Sequence, residues 1–276
     1  MLPHPVDAAA HFRCKFMKIA TWNINSIRAR LENLTAWLQE CQPDVVLLQE
    51  TKCLEEQFPR EPIEDLGYNI AVKGQKSYNG VAILSKHPIE DVITELPGDE
   101  GDLEARYIEA VIGTTRVASV YVPNGQDIGT DKYLYKLKFF ERLYDHLKSL
   151  LTYEESFVIG GDYNVAPTDA DTYDPAKFQN RLLVSDGERE GLRRLTNLGI
   201  VDAVRALHPE HQGDNSSLYT WWDYRQGSFE KNHGLRIDHL LLSPQATDLL
   251  ESIGIDRTTR EQTKPSDHVP LWCVLS

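Results

Sequence analysis

The chain has 276 residues, 41% of them hydrophobic and 26% charged, a composition that supports a buried core and excludes a disordered or fibrous polymer. A formal net charge of −13 excludes a protein held on nucleic acid by bulk positive charge, but it leaves room for a local basic patch. No apolar run reaches membrane-spanning length, and the four cysteines show neither a CxxC pair nor a zinc spacing, so free thiols in a reducing cytoplasm are expected.

Residues 1–16, MLPHPVDAAAHFRCKF, lack the continuous apolar segment and charged start of a signal peptide. They are expected to be a loose tail or to precede the functional start, with 17–276 forming one α/β domain. Residues 18–22 read as a strand, followed by the polar turn Asn23-Ile24-Asn25-Ser26. Ser26 is placed to cap a helix running to about residue 40, with Ile27, Leu31, Leu34 and Leu38 on one face. Pro43-Asp44 ends it, and the apolar strand 45–48 exits on Gln49-Glu50. Residues 68–72 and 81–84 read as strands joined by KGQKSYNG, and 106–112 and 117–122 as a second pair around Gly113-Thr114-Thr115-Arg116. The second pair exits on Tyr121-Val122-Pro123-Asn124-Gly125, where Pro and Gly enforce a turn.

The 132–151 segment is helical in period, with Leu134, Leu137, Phe140, Leu143, Leu147 and Leu150 recurring at three and four. Next comes SFVIGGDYNVAP, 156–167. Its apolar run Phe157-Val158-Ile159 reads as a buried strand, and Gly160-Gly161 marks a close approach of backbone. Asp162 and Asn164, two apart, face the same way if the chain is extended. Residues 169–185 form an irregular, proline-bearing excursion, 188–198 a helix closed by Gly199, and 235–242 and 269–275 the last strands.

The polar residues follow a rule. Four strands carry theirs at the exit: Asn23 and Asn25, Glu50, Tyr121 and Asn124, Asp162 and Asn164. Two carry theirs at the entrance, Asp238 and the pair Asp267-His268. Because an antiparallel strand's exit lies beside its neighbour's entrance, all six groups can gather on one rim. Taken singly, each residue is as readily a turn former or a hydrogen-bonded core group as a catalytic one. Together they form a set of hard oxygen donors suited to Mg²⁺ or Mn²⁺, with Glu50 the first choice as ligand. His268, with Asp238 to fix its ring, can act as acid or base or polarise a phosphate, and Tyr121 offers a phenol, so the set points to metal-assisted phosphodiester hydrolysis.

The motifs WNINSIRAR, PDVVLLQETK, NGVAILSK, YVPNG, GGDYNVAPTD, YTWWDYR, GLRIDHLLLS and KPSDHVPLW, in this order from Met17 to Ser276, resemble the exonuclease III and AP endonuclease family of the endonuclease/exonuclease/phosphatase superfamily. The resemblance implies a four-layer α/β sandwich of two packed mixed β-sheets flanked by helices, as in DNase I. It implies Mg²⁺ (or Mn²⁺) as cofactor, with Asn23, Glu50, Asp162, Asn164, Asp267 and His268 at or around the metal. It further implies catalytic roles for Tyr121, Asp162, Asn164, Asp238 and His268, and leaves open whether Asp162 or His268 activates the water. The implied substrate is double-stranded DNA with abasic sites or 3′ ends: incision 5′ to the lesion, 3′→5′ exonuclease action and removal of 3′-phosphates, by a monomer with no membrane partner. Trp221 matches the aromatic at the abasic-site pocket, with Trp222 beside it, and core or sheet-edge packing is expected for one of the two. Asn124 stands where bacterial exonuclease III has glutamine and matches human-type AP endonucleases; residues 1–16 have no counterpart.

A local cationic face bordering the rim is expected from Arg28, Arg30, Lys52, Lys73, Lys76, Arg106, Arg225, Lys231 and Arg236, with Arg28, Arg106, Asn124, Trp221, Arg225 and Arg236 touching substrate. Two other readings compete. One is a phosphatase, sphingomyelinase or general DNase of the same superfamily; the other is a non-catalytic RNA- or protein-binding regulator on the same fold, which would be expected to have lost some of Glu50, Asp162, Asn164, Asp238 and His268.

Overall fold

A computed structural model describes residues 16–209 and 215–276, so the tail expected at 1–16 lies almost wholly outside the described residues. In chain order the first sheet takes β1 (Met17–Asn23), β2 (Val45–Gln49), β3 (Asn69–Lys73) and β4 (Val81–Ser85), with α1 (Leu31–Cys41) and the single turn α2 (Glu61–Glu64) between them. The second takes β5 (Glu90–Ile93), β6 (Tyr107–Ile112), β7 (Thr115–Tyr121) and, after the long α3 (Asp131–Leu151), β8 (Ser156–Asp162). After α4 (Pro175–Phe178) and α5 (Asp186–Thr196) come β9 (Val201–Asp202), α6 (Ala203–Leu207) and β10 (Asp238–Leu242), which complete it. The chain then returns through α7 (Pro244–Thr247) to add β11 (Leu250–Ile255) and β12 (Leu271–Leu275) to the first sheet. The two six-stranded orders are β11-β12-β1-β2-β4-β3 and β5-β6-β7-β8-β10-β9.

Each sheet is built around one parallel pair joined by a helix: β1 and β2 through α1, β7 and β8 through α3. Ile19, Val45, Leu47 and Ile83 of one sheet pack against Ile108, Val117, Val158 and Leu240 of the other, all fully buried. Removing each such side chain from water contributes about 1.5–3 kcal/mol. The outer faces are covered by α1 (Leu34, Trp37, Leu38) on the first sheet and by α3 and α5 (Phe140, Leu143, Leu192, Leu195) on the second, giving the four expected layers. The two glycines of β8 set the spacing: a Cβ on Gly160 would meet Leu47 and Leu240 at 2.7 Å, and one on Gly161 would meet the Val120 carbonyl oxygen at 1.9 Å.

Three local expectations are corrected. The first helix begins at Leu31, not at Ser26, and Ser26 caps nothing. Ser26 has φ 85, and its N–H donates to the Glu50 carbonyl at 2.7 Å, which ties residues 25–27 to the second strand's exit and delays the helix. On α3 the buried face is Tyr133, Lys136, Phe139, Phe140, Leu143, Leu147 and Leu150, while Leu134 is half exposed. The edge strands β5, β9 and β11 carry no strong alternation and were not expected from the sequence.

Candidate active site

The strand registers bring the rim together. Asn23 is paired across β1 and β2 with Gln49, the residue before Glu50. In the second sheet Asp162 is the register partner of Tyr121 on one side and of Asp238 on the other. His268, just before β12, is bridged to Trp221. Four exits therefore come from two parallel pairs, and the two entrances belong to the antiparallel strands beside them.

Hydrogen bonds then cross between the sheets. The Asn23 amide donates to Glu50 Oε1 at 2.8 Å and to Asp162 Oδ2 at 2.9 Å, joining a carboxylate from each half of the sandwich. The two Asp238 oxygens lie 2.9 and 3.1 Å from His268 Nδ1, so Nε2 points at Asp162, whose Oδ2 is 3.7 Å away. Asp162, Asp238 and His268 are all buried, and they offer ligand atoms that lie within 4.8 Å of one another. His268 is held in place from behind: its carbonyl accepts from Trp22 Nε1 at 3.1 Å, and its N–H donates to Ser266 Oγ, which itself donates to the Asn23 carbonyl at 2.7 Å.

Glu50 leaves β2 with φ 52 and Lys52 follows with φ 53. Left-handed backbone at residues that carry a Cβ costs on the order of 1–3 kcal/mol each, and such strain persists where surrounding contacts dictate it. Here Lys52 Nζ reaches Glu50 Oε2 at 2.6 Å and Asn25 Oδ1 at 2.6 Å. Asn164, also left-handed at φ 51, donates its N–H to Asp162 Oδ1 at 2.8 Å and its side-chain amide to the Val122 carbonyl at 3.1 Å.

Burial and neighbouring charge both act on this cluster, opposed at His268 and in the same sense at Tyr121. Burial works against a charged imidazole, but Asp238, Asp162 and Asp267 outweigh it and lift His268 to about 10. Burial first, then the Asp238 and Glu50 carboxylates, lift Asp162 to about 7 against the pull of His268 and the Asn23 amide. Burial, reinforced by Glu50 and Asp162, pushes the Tyr121 phenol well above its ordinary 10, so it stays protonated. The guanidinium of Arg106 stacks over its ring at 4.8 Å.

The pattern of the Endonuclease/Exonuclease/phosphatase family matches residues 20–268. The chain belongs to this family. It is 35% identical to the exodeoxyribonuclease III of Haemophilus influenzae over 93% of its own length and 98% of that protein's. Among solved structures, a 3′ phosphatase from Neisseria bound to a product DNA hairpin superposes with a TM-score of 0.90 at 38% identity, covering 94% of this chain and 99% of the other. An AP endonuclease from Archaeoglobus fulgidus superposes with a TM-score of 0.89 at 38% identity and the same coverage. The chain thus falls with the exonuclease III and AP endonuclease members of the endonuclease/exonuclease/phosphatase family.

Members of this family depend on a metal ion, and the cluster has the chemistry for one. Glu50, Asp162 and Asp238 are hard oxygen donors, no cysteine stands among them, and their mutual repulsion is what a cation would relieve. Asp267 is engaged otherwise: its oxygens accept from Asn25 Nδ2 at 2.9 Å and Trp221 Nε1 at 3.0 Å, which with the His268 charge hold it below the ordinary carboxylate range despite burial. Among the expected substrate contacts, Arg28, Asn124 and Arg225 are exposed beside the rim, with Arg106 and Trp221 half-buried at it. Trp222 is fully buried, its Nε1 donating to Asn232 at 3.2 Å.

Arg236 is a correction. It is fully buried, its Nε donating to Asp171 at 2.6 Å and its Nη1 to Asp202, and it faces the Asp202 side of the second sheet's edge, where DNA cannot reach it. Sequence reasoning also passed over Lys136, a charged residue on the buried stripe of α3, and the position of that charge among apolar neighbours was the signal available.

Proposed function

We propose that this chain is a DNA repair nuclease that hydrolyses phosphoesters at 3′ oxygens of duplex DNA: it incises 5′ to abasic sites, degrades 3′ ends and removes 3′-phosphates. The observation that carries the reading is the junction of Glu50, Asn23, Asp162, Asp238 and His268 at the meeting of the two sheets. One metal-and-phosphate centre serves all three activities, because each breaks a bond to a 3′ oxygen.

Mg²⁺, or Mn²⁺, is the cofactor this donor set suits; Glu50 and Asp162 would hold it, and it would supply charge neutralisation at the phosphate. The chain's own groups divide the remaining work. His268, its Nδ1 fixed by Asp238, turns Nε2 toward Asp162 and donates from there to a phosphate oxygen. Asp162, held by the Asn23 amide at Oδ2 and the Asn164 N–H at Oδ1, takes the proton from the attacking water. Tyr121, a neutral phenol, donates to a phosphate or departing oxygen. Asn164 keeps one amide proton beyond its bond to Val122 for the same phosphate, a neutral donor where a further carboxylate would repel. Trp221 closes a pocket for the baseless sugar, and the protein works as a monomer from its exposed cationic face.

The test is a synthetic duplex carrying one abasic analogue, with Mg²⁺ or EDTA, for wild type and Asp162→Ala, beside a phosphoinositide. Metal-dependent cleavage on the 5′ side, nearly lost in the variant, is expected. Full activity in EDTA or in the variant sinks the mechanism, and turnover of the phosphoinositide alone would place the chain with the family's phosphatases.

A further inference from the structure

Lys136 is fully buried on the α3 face that otherwise presents Tyr133, Phe139, Phe140 and Leu143 to the core. Its ammonium has three protons and three acceptors: the carbonyl of Asn164 at 2.8 Å, the carbonyl of Asn124 at 3.2 Å and the Glu188 carboxylate. Those two carbonyls belong to the two rim asparagines, whose side chains are themselves joined, Asn124 Nδ2 donating to Asn164 Oδ1 at 3.1 Å. Glu188 in turn accepts from the N–H of Leu183 at 3.1 Å, the N–H of Ser185 at 3.0 Å and the Ser185 hydroxyl at 2.6 Å. One buried ion pair therefore ties the exits of β7 and β8 to the end of the 169–185 excursion.

Two facts argue that this is more than packing. A buried ion pair is a poor stability device, since apolar replacements are often neutral or better. And the backbone it grips needs gripping: Asn164 sits at φ 51, while Gly125, at φ 93, passes so close that a Cβ there would meet Lys136 Cδ at 3.2 Å. Lys136 hydrogen-bonds to none of the rim carboxylates; its charge is felt at Asp162, but the groups it grips are the two asparagine carbonyls, and loss of Asn164 separates the two effects.

We propose that Lys136, with Glu188 as counter-ion, is a positioning residue that fixes the carboxamides of Asn124 and Asn164 toward the scissile phosphate. The inference rests on the functional reading above only in naming a phosphate as the target. The arrangement of the two amides stands independently of it.

The variants are Lys136→Met and the charge-neutral double Lys136→Met with Glu188→Gln, which keeps the fold testable if the first leaves Glu188 stranded. In metal-free, substrate-free protein, nuclear magnetic resonance should show the Asn164 and Asn124 side-chain amides shifted and exchanging faster with solvent, while the Asn23 amide on the other sheet keeps its wild-type signal. On the abasic duplex with Mg²⁺, kcat should fall about 10–100-fold with KM within about twofold, as expected when a reacting geometry loosens. The same substitution made in an Asn164→Ala background should cost less than about threefold more, because the group it positions is gone. Unchanged Asn164 and Asn124 amides in a folded variant would overturn the proposal, as would wild-type kcat or a full additive loss in the Asn164→Ala background. If wild type fails to cleave DNA, the functional reading falls while the amide signals still decide the positioning role.

Discussion

Arg236 and Asp238 stand two residues apart, and each belongs to a buried charge cluster. Around Arg236 the charges balance: Arg236 and Arg205 face Asp171 and Asp202, and both carboxyls are held below their ordinary range although burial alone would raise them. Around Asp238 they do not. Asp162, Asp238 and Glu50 crowd one end of the sandwich, with His268 between the two aspartates and Lys52 on Glu50, so three carboxylates face two cations, and Asp162 is lifted to about 7. Burial pushes the carboxyls of both clusters the same way, so the neighbours decide the sign. A balanced cluster needs nothing further and belongs to the architecture. An unbalanced one is a demand for a cation, and left-handed backbone at Glu50, Lys52 and Asn164 surrounds it.

The sharpest way to break this contrast is to remove one carboxylate from the crowded cluster. Asp162→Asn should lower kcat on DNA by about 10²–10⁴-fold, the range of a lost general base. Its melting temperature in EDTA should be unchanged or higher, since a repelled buried charge has gone. A marked loss of metal-free stability would mean that Asp162 is structural and that the two clusters do not differ in kind.

Next in size is the opposite experiment. Arg236→Met leaves Asp171 and Asp202 short of a buried counter-charge, so unfolding by urea should show a loss of about 3–5 kcal/mol. Per folded molecule, kcat and DNA affinity should stay near wild type. A specific loss of DNA affinity at full stability would return Arg236 to the DNA track from which its burial removes it.

The balanced cluster also sets an acid limit. Asp171 and Asp202 titrate lower in the folded protein than in the unfolded chain. The stability they contribute is therefore fully present above the ordinary carboxylate value of about 4, and it is lost as pH falls below that toward their depressed folded values. Urea unfolding followed from about pH 5 to pH 2 should show this slope in wild type and a shallower one in Arg236→Met. Equal slopes would mean that other carboxyls, such as Glu109 beside Arg116 and His146, govern acid unfolding.

These two clusters were unequally legible in the sequence. The rim could be read because short apolar strands end abruptly on Asn, Glu, Tyr and Asp, and strand ends are where a sheet presents side chains to one site. The same apolar runs gave one α/β domain, and the four layers came from the resemblance of the ordered motifs. Arg236 could not be read, because its partners lie 65 and 34 residues earlier in separate irregular segments, and an arginine near other basic residues looks like surface. The late start of α1 was hidden for a similar reason: Ser26 is held by Glu50, a contact across two strands that local capping preference cannot show. Lys136 was legible in principle, since a charge on an apolar helical stripe requires a partner, but which loops it grips depended on tertiary closure.

The smallest effect belongs to charges outside both clusters. Arg225 has 86% of its side chain exposed, with Asp223 3.5 Å away as a weak, screened partner. If it contacts a DNA phosphate from the cationic face, Arg225→Ala should weaken duplex binding by less than about tenfold, equally for all sequences, and reduce the slope of log affinity against log salt by about 1. Melting temperature and kcat should not move. Arg28, also exposed, should behave alike. An unchanged salt slope in the double variant would show that these arginines are solvated surface, and the DNA track would then reduce to the half-buried Arg106 and Lys52 at the rim itself, cations that the acidic body keeps close to its carboxylates.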